Sequence, residues 1–345
     1  MILSELTLQH FRSYTKRVFA FSPATTLLIG ANAAGKTNIL EAIMVLATGK
    51  SFRADLDREM IQWGNTVARV TCRASGEDAT KLDVIFTQTK KFFVNGIPRR
   101  QIDFVGHLPA VLFWPEHLEL ITDSPSLRRK YLDGVLIQVD REYRRNLLSY
   151  ERGLRQRNRL LDMINDGKAH RHQLQFWDQL LIRAGGYITD KRAAFIDFIN
   201  HHSSFIMKYS LTYDKSVISE TRLEQYKDEE VAAKSTLVGP HRDDFLVTKE
   251  DLDLSKYGSR GEQRLAILWL KLAELEFITE RSREAGTGSA RPLLILDDIF
   301  SELDVEHREV VLDLLGKQQT IVSSAEEEVA ALFRKHGIKA DTIRL

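Results

Sequence analysis

The fold is decided by the stretch Leu27-Leu28-Ile29-Gly30-Ala31-Asn32-Ala33-Ala34-Gly35-Lys36-Thr37-Asn38. Its centre matches the pattern G-x-x-x-x-G-K-[ST], in which glycines let a tight loop wrap its backbone N–H groups around phosphate oxygens. An apolar run precedes the loop, and helical patterning follows it from Lys36 to Leu46. A strand, a glycine loop and a helix in this order predict a phosphate-binding loop rather than an ordinary glycine turn.

The loop residues have distinct predicted roles. Lys36 places a positive charge on the β and γ phosphates, and Thr37 offers its hydroxyl to Mg²⁺. We therefore expect ATP and Mg²⁺ as cofactors and assign Lys36 a catalytic role as well. The predicted nucleotide-binding residues of this segment are Gly30, Ala31, Asn32, Ala33, Ala34, Gly35, Lys36, Thr37 and Asn38.

The second half of such a site lies near the other end of the chain, in Leu293-Leu294-Ile295-Leu296-Asp297-Asp298. A continuous apolar run that closes on acids is typical of a buried parallel strand with a carboxylate at its carboxyl end. Asp297 is the predicted magnesium ligand. Asp298 is the candidate catalytic acid that orients or deprotonates the attacking water. The simpler interpretation of Asp-Asp is an acidic strand end or a helix cap.

Thr37 and Asp297 are 260 residues apart, which predicts a large insertion between the two halves. Short β segments flank the loop in the first hundred residues, and long helical patterning extends from about 126 to 205. We expect the head to comprise residues 1–115 and 235–345, and a mostly helical inserted lobe to comprise 116–234. Further strands are expected at Leu3–Leu8, Val67–Arg73, Leu82–Thr87, Lys91–Val94 and Ile321–Ser323, with a helix from Gly261 to Arg283.

Composition limits the class of protein. The single cysteine, Cys72, cannot form an intramolecular disulfide, and no apolar stretch is long enough for a membrane helix, so we expect a soluble cytoplasmic protein without membrane contact. The net charge is only +1, but residues 128–159 hold ten Lys or Arg against four acids. Eight of these cations are candidate DNA contacts, although they could equally form a solvated helix face: Arg128, Arg129, Lys130, Arg144, Arg145, Arg152, Arg155 and Arg157.

Together these pieces resemble the ATP-binding-cassette head of the SMC/Rad50-like group, and specifically the RecF family of DNA repair and replication proteins. The resemblance covers nearly the whole chain. It rests on Leu8-Gln9-His10-Phe11-Arg12-Ser13-Tyr14, Gly30 to Asn38, Ser51-Phe52-Arg53, Phe113-Trp114-Pro115-Glu116-His117-Leu118, Arg128-Arg129-Lys130-Tyr131-Leu132-Asp133, Arg157-Asn158, Gly239-Pro240-His241-Arg242-Asp243-Asp244, Ser259 to Arg264, Leu272-Ala273-Glu274-Leu275-Glu276 and Asp297 to Asp304.

The resemblance implies an α/β fold, with a P-loop ABC-type ATPase head of mixed sheet and flanking helices plus an inserted helical lobe. It implies an ATP-dependent homodimer in which Ser259 of one copy faces the γ-phosphate bound by the other, with Gly261 and Gln263 also at the nucleotide and Asp304 at the interface. It further implies slow ATP hydrolysis, binding to duplex or gapped DNA without chemistry on it, and cooperation with RecO and RecR mediators in loading recombinase during recombinational repair and replication-fork maintenance.

Four alternatives remain open at this stage, two for single segments and two for the whole chain. Ser259 is also a plausible helix N-cap, and Ser301 to Asp304 a plausible helix start. The chain could instead be a phosphotransferase acting on a small substrate, or an ATP-binding scaffold without DNA contact. The last strand is followed by Ser323 and Ser324 where ABC-type ATPases usually have a histidine, and the second acid is Asp298 rather than Glu, so any turnover is expected to be slow.

Overall fold

The computed structural model describes residues 2–75, 79–202, 209–284, 291–303 and 305–345. The chain divides into two compact units. The first unit consists of Met1–Leu118 and Arg264–Leu345, and the second unit consists of Glu119–Gln263. No helix in the described part of the chain combines the length and the apolar character needed to span a bilayer.

Strands dominate the first unit and helices the second. The strands are β1 (Ile2–Phe11), β2 (Tyr14–Ala20), β3 (Thr25–Ile29), β4 (Ala68–Ser75), β5 (Thr80–Phe86), β6 (Lys91–Val94), β7 (Ile97–Arg99), β8 (Ala110–Phe113), β9 (Tyr209–Asp214), β10 (Asp244–Lys249), β11 (Leu252–Asp253), β12 (Leu293–Asp297), β13 (Thr320–Ser324) and β14 (Ala340–Arg344). The helices are α1 (Lys36–Thr48), α2 (Gln101–Phe104), α3 (Glu119–Thr122), α4 (Pro125–Val139), α5 (Arg141–Asn165), α6 (Gln175–His202), α7 (Glu220–Gln225), α8 (Lys227–Ala233), α9 (Leu254–Tyr257), α10 (Arg260–Glu284), α11 (Ile299–Glu302), α12 (Val305–Leu312) and α13 (Glu328–Lys335).

A parallel sheet in the order β14-β3-β13-β12-β8 forms the centre of the first unit. β3, β12 and β13 are buried along their whole length, as expected of parallel strands that are covered on both faces. The register pairs Asp297 with Ser323 and Ile29 with Ser324. The carboxyl ends of three neighbouring strands therefore meet at one edge of the sheet, and the strands predicted at the loop, at 293–296 and at 321–323 are confirmed.

An antiparallel sheet in the order β2-β1-β4-β5-β6-β7 forms the other layer of the first unit. Its strands alternate, with Leu6, Leu8, Val70 and Val84 fully buried on the inner face and polar residues between them on the outer face. Helix α1 contacts strands of both sheets and is buried over most of its length. The helix that follows the glycine loop is thus held between two sheets.

The second unit is built on the long helices α4, α5 and α6, and the helical patterning expected near 126–205 is confirmed in its described part. Helix α5 packs closely on α6 at Gly153, where a Cβ would lie 2.7 Å from Leu180 Cδ2, so a larger residue there would force the Leu180 side chain to shift. A small antiparallel sheet, β11-β10-β9, completes the unit.

The sequence and the structure divide the chain differently near residue 235. We expected residues 235–263 in the head, but they belong to the second unit. Strand β10 pairs along its length with β9 and contacts α4, so backbone hydrogen bonds and packing hold this segment among the helices. Turn and strand signals that resume after residue 234 do not reveal which sheet those strands join.

Candidate nucleotide-binding site

The glycine loop connects β3 to α1, as the sequence predicts. Gly35 has a φ of +105°, and a Cβ at this position would lie 2.5 Å from the Tyr14 hydroxyl. Only glycine meets both constraints without strain. The N–H of Ala34 donates to Ala31 O at 3.1 Å, which tightens the loop. The N-terminus of α1, where the first backbone N–H groups have no intrahelical acceptor, therefore opens directly onto the loop.

Lys36 spans this loop from inside. Lys36 is buried, with 7% of its surface exposed. Its ammonium donates to Gly30 O at 2.7 Å and to Ala31 O at 3.1 Å. Two backbone carbonyls therefore hold the Lys36 ammonium at the mouth of the loop. Asn38, also predicted to bind nucleotide, instead uses its amide to contact Ser13 at 2.8 Å and Arg53.

Thr37 and Asp297 meet as predicted, although they are 260 residues apart. The Thr37 hydroxyl donates to Asp297 Oδ2 at 3.0 Å, and the Ser323 hydroxyl donates to Asp297 Oδ1. Burial raises the pKa of Asp297 above its ordinary value, against the opposing effect of these two hydrogen bonds. The sequence alone did not identify Ser323 as a partner of Asp297. The two residues lie opposite each other because β12 and β13 pair in parallel.

These residues fit a magnesium ion that is shared with phosphate. Carboxylate and hydroxyl oxygens are the ligands Mg²⁺ prefers, and it is usually held by one or two carboxylates with phosphates and water completing the shell. Among the described residues, no group of three or more His, Cys, Asp or Glu could hold a metal ion by itself. Thr37 and Asp297 would therefore supply two oxygen ligands to a magnesium ion, and a bound nucleotide and water would complete its shell.

Asp298 lies beside this pair in a backbone conformation that side chains rarely adopt, with a φ of +50°. Its N–H donates to Ser323 O at 3.2 Å, which fixes the turn after β12. The side chain is half-buried and does not cap α11. The helix-cap interpretation of the Asp-Asp pair thus does not describe Asp298, and its carboxylate is available at the edge that carries Asp297.

Ser259 and its neighbours lie at the start of α10, in the second unit. Ser259 and Gly261 are exposed. The Ser259 hydroxyl donates to Glu262 at 2.9 Å and accepts from the Glu262 N–H at 3.3 Å, so the N-cap alternative is realised as a capping box. Gln263 is different, because it is buried and its amide donates to Leu254 O at 2.9 Å. That bond corrects the expectation for Gln263, whose side chain faces the interior. Asp304, the other predicted interface residue, lies outside the described residues.

Two of the eight arginines and lysines proposed to contact DNA are internal. Arg128 is 7% exposed and donates to the Asp244 carboxylate at 2.6 and 2.9 Å. Arg157 is 2% exposed and pairs with Asp178 and Glu230, each at 2.7 Å. For these two the prediction is wrong, because their guanidinium groups neutralise carboxylates inside the second unit.

The other six differ in exposure. Arg129 and Arg144 are partly buried and donate to the backbone carbonyls of Asp243 at 2.8 Å and Ile137 at 2.5 Å. The remaining four are exposed: Lys130, Arg145, Arg152 and Arg155. Arg159, which was not among the eight candidates, is exposed as well. Spacings of seven, three and four residues place Arg145, Arg152, Arg155 and Arg159 on one side of α5. Helical spacing is the signal that could have identified Arg159.

The arrangement of glycine loop, helix, acidic strand end and flanking sheets defines the class, a P-loop ATPase head of the ABC type. A family model for the RecF/RecN/SMC N terminal domain matches residues 2–339. The head fold is shared by the SmcHead bound to the C-winged helix domain of ScpA, which is 19% identical with a TM-score of 0.50 and covers 96% of this chain and 91% of its own.

Closer relatives narrow the class. The DNA replication and repair protein RecF of Lachnoclostridium phytofermentans is 37% identical over 338 residues, which cover 94% of this chain and 92% of the relative. A solved structure of the recombination mediator protein RecF-ATPrS in the RecFOR pathway is 29% identical, with a TM-score of 0.87, and the match covers 99% of this chain and 95% of that one. The chain belongs to the RecF family of DNA replication and repair proteins.

Proposed function

We propose that the chain binds ATP with Mg²⁺, pairs with a second copy in that state, and binds duplex or gapped DNA as an ATP-gated dimer. The observation that carries the proposal is the junction of Lys36, Thr37 and Asp297 at the carboxyl edge of the parallel sheet. A buried cation, a helix N-terminus and a hydroxyl–carboxylate pair converge there. This is the chemistry that a nucleoside triphosphate with its metal requires.

Each residue has a proposed part in the ATPase cycle. Lys36 neutralises charge on the phosphates, while Thr37 and Asp297 hold Mg²⁺, which when bound would neutralise charge that develops on the phosphate oxygens. Asp298 orients the attacking water. Ser323 and Ser324 end β13, where ABC-type ATPases usually have a histidine nearby, and this difference fits slow hydrolysis. Hydrolysis then resets the protein and performs no chemistry on DNA.

The second copy supplies the rest of the site. Ser259 and Gly261 are exposed at the N-terminus of the 25-residue helix α10, which directs backbone N–H groups and the positive end of the helix dipole outward. We propose that this surface of one copy faces the γ-phosphate held by the other. The capping box does not conflict with this role, because it leaves Ser259 on the surface.

DNA contact is proposed for the exposed side of α5. Arg152, Arg155 and Arg159 have no hydrogen-bond or ion-pair partner in the part of the chain that the structure describes, and Arg145 pairs only with Glu142 at 3.0 Å. Free guanidinium groups along one helix face suit the phosphate backbone, where contact does not depend on sequence. By analogy with the recombination mediator to which it is similar, the chain would cooperate with RecO- and RecR-type mediators to place recombinase at gapped duplexes.

The test is the mass of the protein in solution by light scattering without nucleotide, with ADP, and with ATP plus Mg²⁺. We expect a shift from monomer towards dimer with ATP alone. Lys36→Ala should abolish that shift while leaving the protein folded, because among the described residues the Lys36 ammonium donates hydrogen bonds only to the loop carbonyls of Gly30 and Ala31. A wild-type protein that stays monomeric with ATP would contradict the shared site. Retained pairing by Lys36→Ala would contradict the role of the loop.

A further inference from the structure

The outer face of the antiparallel sheet in the first unit carries an ordered set of cations. Cross-strand register places Lys16, Gln9, Arg69, Ile85 and Lys91 in one row across β2, β1, β4, β5 and β6. A row four residues further along contains Glu5, Arg73 and Lys81, and Thr7, Thr71 and Asp83 form the row between the two. Alternation along each strand puts all of these residues on the face opposite the apolar core.

This face is positively charged and open. It holds five cations against two carboxylates, Glu5 and Asp83. Asp83 is 1% exposed; its Oδ1 accepts hydrogen bonds from Arg69 Nη2 at 2.9 Å, Arg69 Nε at 3.1 Å and the Thr71 hydroxyl, and its Oδ2 lies 3.8 Å from the Lys81 ammonium. The side chains of Arg73 and Lys81 remain 68% and 47% exposed. The Asp83 carboxylate is therefore neutralised within the face, and the remaining positive charge of the lysines and arginines is exposed to solvent.

We propose that this outer sheet face is a second contact surface for the phosphate backbone of DNA, separate from the exposed side of α5. The inference rests on the proposed DNA-binding function. Five strands span about 19 Å across the face, and Arg69 and Arg73 lie about 14 Å apart along β4. Duplex DNA carries one charge per roughly 1.7 Å of its axis, so a duplex on this face meets on the order of ten phosphates.

Trp63 adds an apolar contact at the end of the same sheet. Its indole is 99% exposed, although the turn that carries it is firmly held. The N–H of Gln62 donates to His10 O at 2.7 Å, the Gln62 amide donates to Thr15 at 3.1 Å, and the N–H of Asn65 closes the turn on Gln62 O at 3.0 Å. The Trp63 indole follows the hydrogen-bonded Gln62 directly, so its position is fixed. An exposed indole of this kind is suited to stack on an unpaired base, such as those in the single-stranded part of a gapped duplex.

The experiment measures the affinity of the full chain with ATP and Mg²⁺ for continuous and gapped duplexes over a series of salt concentrations. Each phosphate contact contributes about −0.9 to the slope of log K against log salt, so the triple variant Lys16→Gln, Arg73→Gln, Lys91→Gln should flatten the slope by about 2.7. Lys16 and Lys91 have no hydrogen-bond or ion-pair partner among the described residues, and Arg73 reaches only Glu5 at 3.7 Å, so folding should be preserved.

The matched control changes three exposed lysines of the first unit that lie away from this sheet, Lys317→Gln, Lys335→Gln and Lys339→Gln. The control should keep the wild-type slope. Equal flattening in both variants would reduce the effect to net charge and overturn the proposal. Trp63→Ala should weaken binding to gapped duplex more than to continuous duplex, and an unchanged preference would remove the indole from the contact.

A comparison with α5 separates this inference from the function it rests on. If Arg152→Gln, Arg155→Gln, Arg159→Gln flattens the slope and the sheet variant does not, the DNA-binding function stands and the sheet face is excluded. If the wild-type protein binds neither DNA at any salt concentration, the proposed function itself fails. An acidic protein that binds the wild type and not the sheet variant, with DNA binding unaffected, would assign the face to a protein partner and overturn the inference.

Discussion

Glu41 lies on α1, five residues after Lys36, and its side chain is completely buried. Burial alone would raise its pKa, but hydrogen bonds from Arg12, Ser51 and Arg53 outweigh it and lower the pKa below the ordinary value of 4.5. Arg12 binds both carboxylate oxygens, at 2.6 and 2.8 Å. One buried carboxylate therefore links the β1–β2 turn and the segment after α1 to α1, the helix that begins at Lys36.

Glu41→Ala should destabilise the first unit by about 3–5 kcal/mol, because two arginines would lose their common carboxylate. The depressed pKa also makes a prediction for the wild type. The stabilisation is fully present above pH 4.5, the ordinary value, and is lost as the pH falls through the lower folded value. Urea unfolding over a pH series measures both effects. Glu276→Ala, at an exposed position of α10 in the same unit, is the control and should change little. A loss of stability in Glu41→Ala no larger than in this control would contradict the account.

At the scale of elements, short motifs were predictable and tertiary burial was not. The glycine loop, the strand ending at Asp297 and the helix from residue 261 follow from residues within a few positions of one another. The small β-sheet of the second unit did not follow, because the residues that β9 pairs with on β10 are 30 to 40 positions away along the chain, from Asp214↔Asp244 to Tyr209↔Lys249. Local sequence does not specify such a partner.

The arginines illustrate the same limit. Arg152 and Arg157 lie on the same helix, yet Arg152 is exposed and Arg157 is buried, with 2% of its surface accessible. The difference is set by Asp178 on α6 and Glu230 on α8, which approach only one side of α5. Charge density along the chain identified the right helix. It could not distinguish the face that contacts solvent from the face that holds ion pairs.

The start of α10 provides a test at this scale. Ser259→Arg places a long cation on the exposed N-terminus and should block ATP-dependent pairing, while each monomer still binds nucleotide at the loop of its first unit. Ser259→Ala separates the two roles of the residue, because it removes the capping box at a cost of about 1 kcal/mol without adding bulk or charge. Light scattering reports pairing, and fluorescent-nucleotide titration reports binding. Normal pairing by Ser259→Arg would refute a shared site.

At the scale of the whole molecule, the two ends of the chain build one site and the second unit lies between them in sequence. The Thr37 hydroxyl, shortly after β3, lies 3.0 Å from Asp297 Oδ2 at the end of β12, so the proposed site for phosphate and metal is complete only when the chain has returned to the first unit. Asp298 is a neighbour of Asp297 with a distinct proposed role in hydrolysis. Binding and hydrolysis should therefore be separable, and DNA release should follow hydrolysis.

Asp298→Asn tests that separation. The substitution preserves size and leaves Lys36, Thr37 and Asp297 in place, so ATP binding and pairing should persist. Loss of a group that orients or deprotonates water should slow phosphate release by roughly 10²–10⁴-fold. The paired state should then last longer on DNA, which a dissociation measurement after dilution into unlabelled DNA would detect. Asp313→Asn, at an exposed position of the same unit, serves as control. If Asp298→Asn hydrolyses ATP at the wild-type rate, another group handles the water. If hydrolysis slows but DNA release does not, hydrolysis does not reset the clamp.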